Sequence, residues 1–149
     1  MKSRILCLVG AVVLALTMAA CGGSLRVGDA SEYVTDTEPL AGMTVTEATP
    51  TSAVYRVSNE TGYEIYTGNE NAIELEVEWD GAWHCIEIGD WSTTAEALIM
   101  EDGAVREMKA TWENTYEALP KGHYRLLKGF QTEDVAADGF ILSAEFDIE

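Results

Sequence analysis

Histidine, cysteine, proline and positive charge are all scarce in this chain. Its 149 residues include 2 His, 3 Cys and 3 Pro, and 9 Lys+Arg stand against 26 Asp+Glu, a formal charge of −17. That acidic excess argues against nucleic acid as a partner, because phosphate backbones are bound through Lys and Arg. It equally opposes electrostatic docking on anionic lipid. Only His84 and His123 can serve as imidazole bases, and no nucleophile–base spacing, G-x-S-x-G, H-E-x-x-H, P-loop or dinucleotide fingerprint accompanies them. No catalytic residue, metal ligand or cofactor is therefore assigned. Long apolar runs are missing too. Ile5 to Ala20, interrupted by Gly10 and Thr17, is the longest, and it falls short of the roughly 20 residues that a membrane-spanning helix needs. What is present is 47% hydrophobic and 9% aromatic residues, too apolar for disorder and sufficient for one core.

That apolar run follows Lys2 and Arg4, and small residues Ala19 and Ala20 close it, the order of an export signal. The stretch Leu16-Thr17-Met18-Ala19-Ala20-Cys21-Gly22-Gly23-Ser24 resembles the lipobox of bacterial lipoproteins, with Met18 where that pattern prefers Leu. The resemblance implies that residues 1–20 are a lipoprotein signal peptide and that Cys21 is the lipid-attachment residue. A thiol can carry a diacylglyceryl group as a thioether, and two acyl chains anchor stably where one binds marginally. The expected location is the cell membrane, lipid-anchored on its extracytoplasmic side. Removing residues 1–20 takes two bases and no acid, so 26 acids and 7 bases remain, a formal charge of −19. Cys7 then leaves with the signal and Cys21 is acylated, so Cys85 has no intrachain disulfide partner. Cys85 reads as a small apolar residue of a strand rather than as a nucleophile.

Residues 21–42, with Gly22-Gly23-Ser24, Gly28, Pro39 and four acids, read as a flexible tether. From Met43 onward the hydrophobic period is two. Met43-Val45, then Ala53, Tyr55 and Val57, each mark one face of a strand, and Asn59-Glu60-Thr61-Gly62 is turn chemistry. Ile73, Leu75, Val77 and Trp79 alternate with Glu74, Glu76 and Glu78, which predicts a half-buried antiparallel strand with a wetted acidic face. Asp80-Gly81 predicts a hairpin returning through Trp83 to Ile88. Ala104 to Trp112, where Val105 and Met108 fall out of phase, predicts a strand with a bulge or register change. Tyr124 to Lys128 and Phe140 to Ile148 complete about seven strands, while Ser92 to Met100 fits a helical turn or a strand. The expected fold is all-β, an antiparallel sandwich over residues 43–149.

Leu119-Pro120-Lys121-Gly122-His123-Tyr124 resembles the tyrosine corner of immunoglobulin-like and fibronectin-type sandwiches. The wider run from Thr111 to Arg125, with Trp112, Tyr116 and Leu119-Pro120-Lys121-Gly122-His123-Tyr124-Arg125, is similar to a bacterial immunoglobulin-like domain of surface lipoproteins, mainly from Gram-positive gut bacteria. Those domains also carry a Tyr-rich turn, a strand and D-G-x-W upstream, here Tyr63 to Gly68, Ile73 to Trp79 and Asp80-Gly81-Ala82-Trp83. Cys85 and the Glu74/Glu76/Glu78 stripe depart from the pattern. The resemblance implies an immunoglobulin-like sandwich and carries no catalytic residues.

The remaining candidates concern binding. Glu74, Glu76 and Glu78 form a stripe able to meet a basic partner or a cation, although a solvated face is the plainer reading. Of four tryptophans, Trp79 and Trp112 are expected in the core, while Trp83 and Trp91 flank a hairpin and could stack on a glycan. Asn69-Glu70-Asn71 and Glu101-Asp102-Gly103 offer hard oxygen ligands without matching a calcium loop. Asn59-Glu60-Thr61 fits the N-glycosylation acceptor, a signal of little weight beside a bacterial lipobox. The expected function is a noncatalytic, lipid-anchored surface module that binds a protein or glycan, or serves as an accessory or spacer. The alternative is an envelope-associated hydrolase-like enzyme whose site carries no familiar motif.

Overall fold

Alternation builds the sandwich strand by strand. The computed structural model describes residues 25–88, 96–133 and 139–149. Among these lie ten strands: β1 Val27–Ala30, β2 Ala41–Thr49, β3 Ser52–Asn59, β4 Ile65–Gly68, β5 Glu74–Trp79, β6 Ala82–Ile86, β7 Ala97–Met100, β8 Val105–Thr111, β9 Gly122–Thr132 and β10 Phe140–Ile148. In β3, Ala53, Tyr55 and Val57 turn inward, and in β10 every second residue from Phe140 to Ile148 is buried. Side chains two residues apart share a face, so each strand contributes one row to a common core. Trp112, Tyr124 and Phe146 stack at its centre, with ring centroids 6.1 Å (Trp112–Phe146) and 5.7 Å (Tyr124–Phe146) apart.

The strands form two antiparallel sheets. The smaller is β2-β3-β8. In the larger, β9 is the spine: β10 pairs with it along Gly122 to Phe130, whereas its other edge is shared, β5 pairing with the first half and β4 with the end. Beyond β5 come β6 and β1, and beyond β4 comes β7. The all-β sandwich is as expected, with more strands than the seven read from the sequence. Tyr66, Thr67 and Gly68 of the expected Tyr-rich turn lie in β4, and Ala97–Met100 resolves as a strand. β8 keeps an unbroken register with β3, and the irregularity lies instead in β2 between Val45 and Glu47. Asp80 and Gly81 take φ of 52° and 77°, the left-handed pair of a two-residue hairpin turn.

The tyrosine corner is present. Tyr124 Oη donates to the Pro120 carbonyl at 2.6 Å, and a Cβ at Gly122 would lie 3.2 Å from that hydroxyl, so glycine leaves the ring room to fold back. Trp112 Nε1 donates to Pro50 O at 2.8 Å, and Tyr116 Oη accepts the Leu75 amide at 3.2 Å. The motif thus ties the smaller sheet to β5 and β9. Tyr124→Phe removes one buried hydroxyl bond and is expected to cost about 0.5–3 kcal/mol, read as a lower midpoint in urea unfolding.

Two expectations need correction. Residues 25–42 are not a free tether. Val27 pairs with Ile86 and Ala30 with His84, and Leu25 and Val27 pack against the core. A Gly- and acid-rich composition hid an edge strand whose partner lies far along the chain. Trp79, expected inside, is 40% exposed. Val77, opposite Tyr124, is the last β5 residue paired with β9, so the hairpin carries Trp79 past the end of the neighbouring strand.

Candidate functional site: the outer face of the large sheet

Register brings the candidate residues together on the outward side of β10-β9-β5-β6. Glu145, Arg125, Glu76 and Cys85 stand in one cross-strand row, each opposite the next. Asp147 opposite His123, and Glu78 opposite Trp83, form the row beside it. Charged side chains in such a row sit a few ångströms apart and pair or repel accordingly.

Glu76 is the main departure from the sequence reading. It is 1% exposed, and Arg125 Nε donates to its Oε2 at 2.5 Å. The guanidinium also donates to Ser31 Oγ at 3.3 Å and lies 4.7 Å from the Trp83 ring centroid, a cation–π contact. Glu74 and Glu78 are exposed as alternation predicts. Glu76 shares their phase, but a cover lies over that part of the sheet.

The cover is the chain that follows β1. Ser31 N donates to Trp83 O at 2.8 Å and Asp36 N to Ile141 O at 2.7 Å. Tyr33 Oη donates to Glu74 Oε2 at 2.6 Å, and the Ser143 amide donates to Asp36 Oδ1 at 3.0 Å. Residues 31–36 therefore run as a strap across β6, β5, β9 and β10 before the chain enters β2. Leu127, outward-facing like Arg125, is buried outside the main core and lines a shallow cavity with Tyr33 and Ile141. The bond to Glu74 holds the Tyr33 phenol proton, raising its pKa.

Trp83 is half-buried, with the His123 ring 5.5 Å away and tilted by 35°. With Arg125 and His123 against it, the indole is already occupied as a stacking partner. Trp91 and Cys21 lie outside the described residues. His123, one of the two imidazoles the chain offers, is held by two carboxylates: Nδ1 lies 2.7 Å from Asp147 Oδ1 and Nε2 3.0 Å from Glu145 Oε2. These bonds, the one to Asp147 foremost, raise its pKa above the ordinary 6.5. Cys85 is half-buried, its Sγ 3.9 Å from Glu76 Oε1. Burial and then the Glu76 charge push the thiol pKa up, away from the thiolate a nucleophile needs.

The oxygen-rich loops have internal uses. Lys128, 1% exposed on the inward face of β9, donates through Nζ to the carbonyls of Gly68, Asn69 and Ala72 at 3.2, 2.7 and 3.2 Å. An ammonium group thus fills the carbonyl cradle of the Asn69-Glu70-Asn71 loop, and burial lowers its pKa to about 8. Asn71 Oδ1 accepts the Thr111 amide at 2.9 Å, and Asp102 Oδ1 accepts the Gly62 amide at 2.9 Å. Asn59 of the acceptor tripeptide is buried, its Nδ2 donating to Tyr63 O, Met100 O and Glu101 O at 2.8, 3.0 and 3.1 Å. It clasps one end of the sandwich. Among the described residues no group of three or more His, Cys, Asp or Glu is placed to hold a metal.

The sequence reading missed Arg125, Lys128, the His123 clamp and the strap. Arg125 had a signal: it follows the corner tyrosine, and a cation in a strand beside an acidic one has partners in reach. The strap had none, because its contacts join residues 41 to 107 positions apart.

Two facing antiparallel sheets, joined by a tyrosine corner beneath a buried tryptophan, define an immunoglobulin-like sandwich. Residues 37–140 match the family model described as a bacterial Ig-like domain, and the chain belongs to that family. No curated protein matches it.

Proposed function

We propose that this protein is a noncatalytic Ig-like module held by lipid at Cys21 on the extracytoplasmic face of the cell membrane, where it binds a surface protein or glycan or serves as an accessory or spacer. The observation that carries the reading is the join between anchor and fold. The lipobox cysteine lies only six residues before Val27, which opens β1. Six residues span at most about 20 Å when fully extended, so the anchor leads almost directly into the sandwich and the module stands close to the bilayer. Its acidic excess keeps it from lying flat on anionic headgroups and leaves the sandwich facing outward. The state of the candidate catalytic groups favours a module over an enzyme: both His123 nitrogens are held by carboxylates, and burial pushes the Cys85 thiol pKa up. Glu78 remains as an exposed acid for a partner, whereas Glu74, also exposed, accepts from Tyr33 and Glu76 is spent on Arg125.

Cys21→Ser is expected to abolish fatty-acid labelling and to release the protein from the membrane fraction or block its maturation. Equal labelling of wild type and variant would overturn the anchor.

A further inference from the structure

We propose that His123, clamped between Asp147 and Glu145 beside the Trp83 indole, is a pH-sensitive clip on the end of the last strand, closed while its imidazole carries both protons and open once one is lost. The argument begins with hydrogen count. An ionised carboxylate only accepts, and a neutral imidazole has one N–H and one lone pair. His123 meets a carboxylate at each nitrogen, at 2.7 Å and 3.0 Å, and with both carboxylates ionised only the imidazolium donates to both. Loss of one proton sets a lone pair against a carboxylate, and one of the two contacts must break.

The surroundings make the change consequential. Glu145 and Asp147 sit two apart on the same face of β10, and their mutual repulsion is relieved by the cation between them. Arg125 stands opposite Glu145 but is engaged by Glu76, Ser31 and Trp83. From β5, Glu78 adds a further acid in the row of Trp83. His123 is therefore the cation that these acids depend on, and its ring is also the neighbour that packs against Trp83. Asp147 lies directly opposite His123 near the end of β10, whose backbone pairing continues to Ile148, so opening releases a side-chain tie between β9 and β10, leaves two exposed carboxylates without their cation and exposes more of the indole. A histidine whose folded pKa is raised contributes stability that is full below its unfolded pKa and is lost as pH rises through the folded value. The clip thus closes in acid and opens toward alkaline pH.

The test is a titration of the full chain, whose only histidines are His84 and His123, labelled with ¹⁵N-histidine and assigned with His84→Gln. The proposal expects His123 to be protonated at both nitrogens at low pH, with a midpoint above 6.5. Tryptophan emission should change at the same midpoint, because imidazolium quenches a neighbouring indole, and that change should vanish in Trp83→Phe and in His123→Gln. Combining Asp147→Asn with Glu145→Gln, both at exposed positions, should bring the midpoint down to about 6.5. A wild-type midpoint at or below 6.5, a midpoint unmoved in the double variant, or an emission change that persists in His123→Gln would each overturn the clip.

Discussion

Glu76→Lys is expected to leave the domain unfolded or about 3–5 kcal/mol less stable, read from the urea midpoint. The cost comes from burying charge without a partner. Glu76 is 1% exposed, and its carboxylate lies 2.5 Å from Arg125 Nε. A lysine there sets two cations against each other in a place that water does not reach, with the Cys85 thiol as its other polar contact. Glu76→Gln keeps the shape and one acceptor and is expected to lose less. Pairing Glu76→Lys with Arg125→Glu should recover part of the loss. The recovery is incomplete, because an acid at position 125 forfeits the contact with the indole and the bond to Ser31.

Val77→Asp, one position further, should fail for a different reason. Val77 is a buried member of the core between Tyr124 on β9 and His84 on β6. A carboxylate there has no cation within the apolar cluster, so it either buries its charge or takes up a proton at high cost, and the expected result is no folding or a loss of several kcal/mol. No exchange at Arg125 can rescue it. Circular dichroism and urea unfolding of the two single variants and the charge-swapped pair separate the cases. Recovery confined to the swap marks Glu76 as half of a salt bridge and Val77 as core.

These neighbours show where sequence pattern is sufficient. Alternation places Leu75 and Val77 inside and Glu74 and Glu78 outside, and the structure agrees. Taken alone it also leaves Glu76 wetted and its exchange for lysine nearly neutral, within roughly 0.5 kcal/mol. The period reports which face a side chain is on. It does not report whether a distant segment lies over that face, and the strap from Ser31 to Asp36 is such a segment. Lys128 is the converse case: its phase with Tyr124, Leu126 and Phe130 points inward, its charge argues outward, and three carbonyls at the end of β4 and in the loop after it decide the matter. The tyrosine corner was fully legible because its parts are local, from Trp112 to Tyr124. Of the candidate binding residues, Trp83 and Glu76 meet through Arg125 in a network that serves the fold, a long-range arrangement that residue spacing does not encode.

The central claim is that the residues before β2 are part of the sandwich and close the outer face of its large sheet. Urea unfolding of a chain beginning at Leu25, compared with one beginning at Ala41, tests it most directly. The shorter chain loses β1 and the strap and exposes Leu127 together with the Glu76–Arg125 pair. It is expected to be less stable by about 3 kcal/mol or more, or not to fold. Equal midpoints and equal slopes for the two chains would show that residues 25–40 are a tether after all, and would contradict the account.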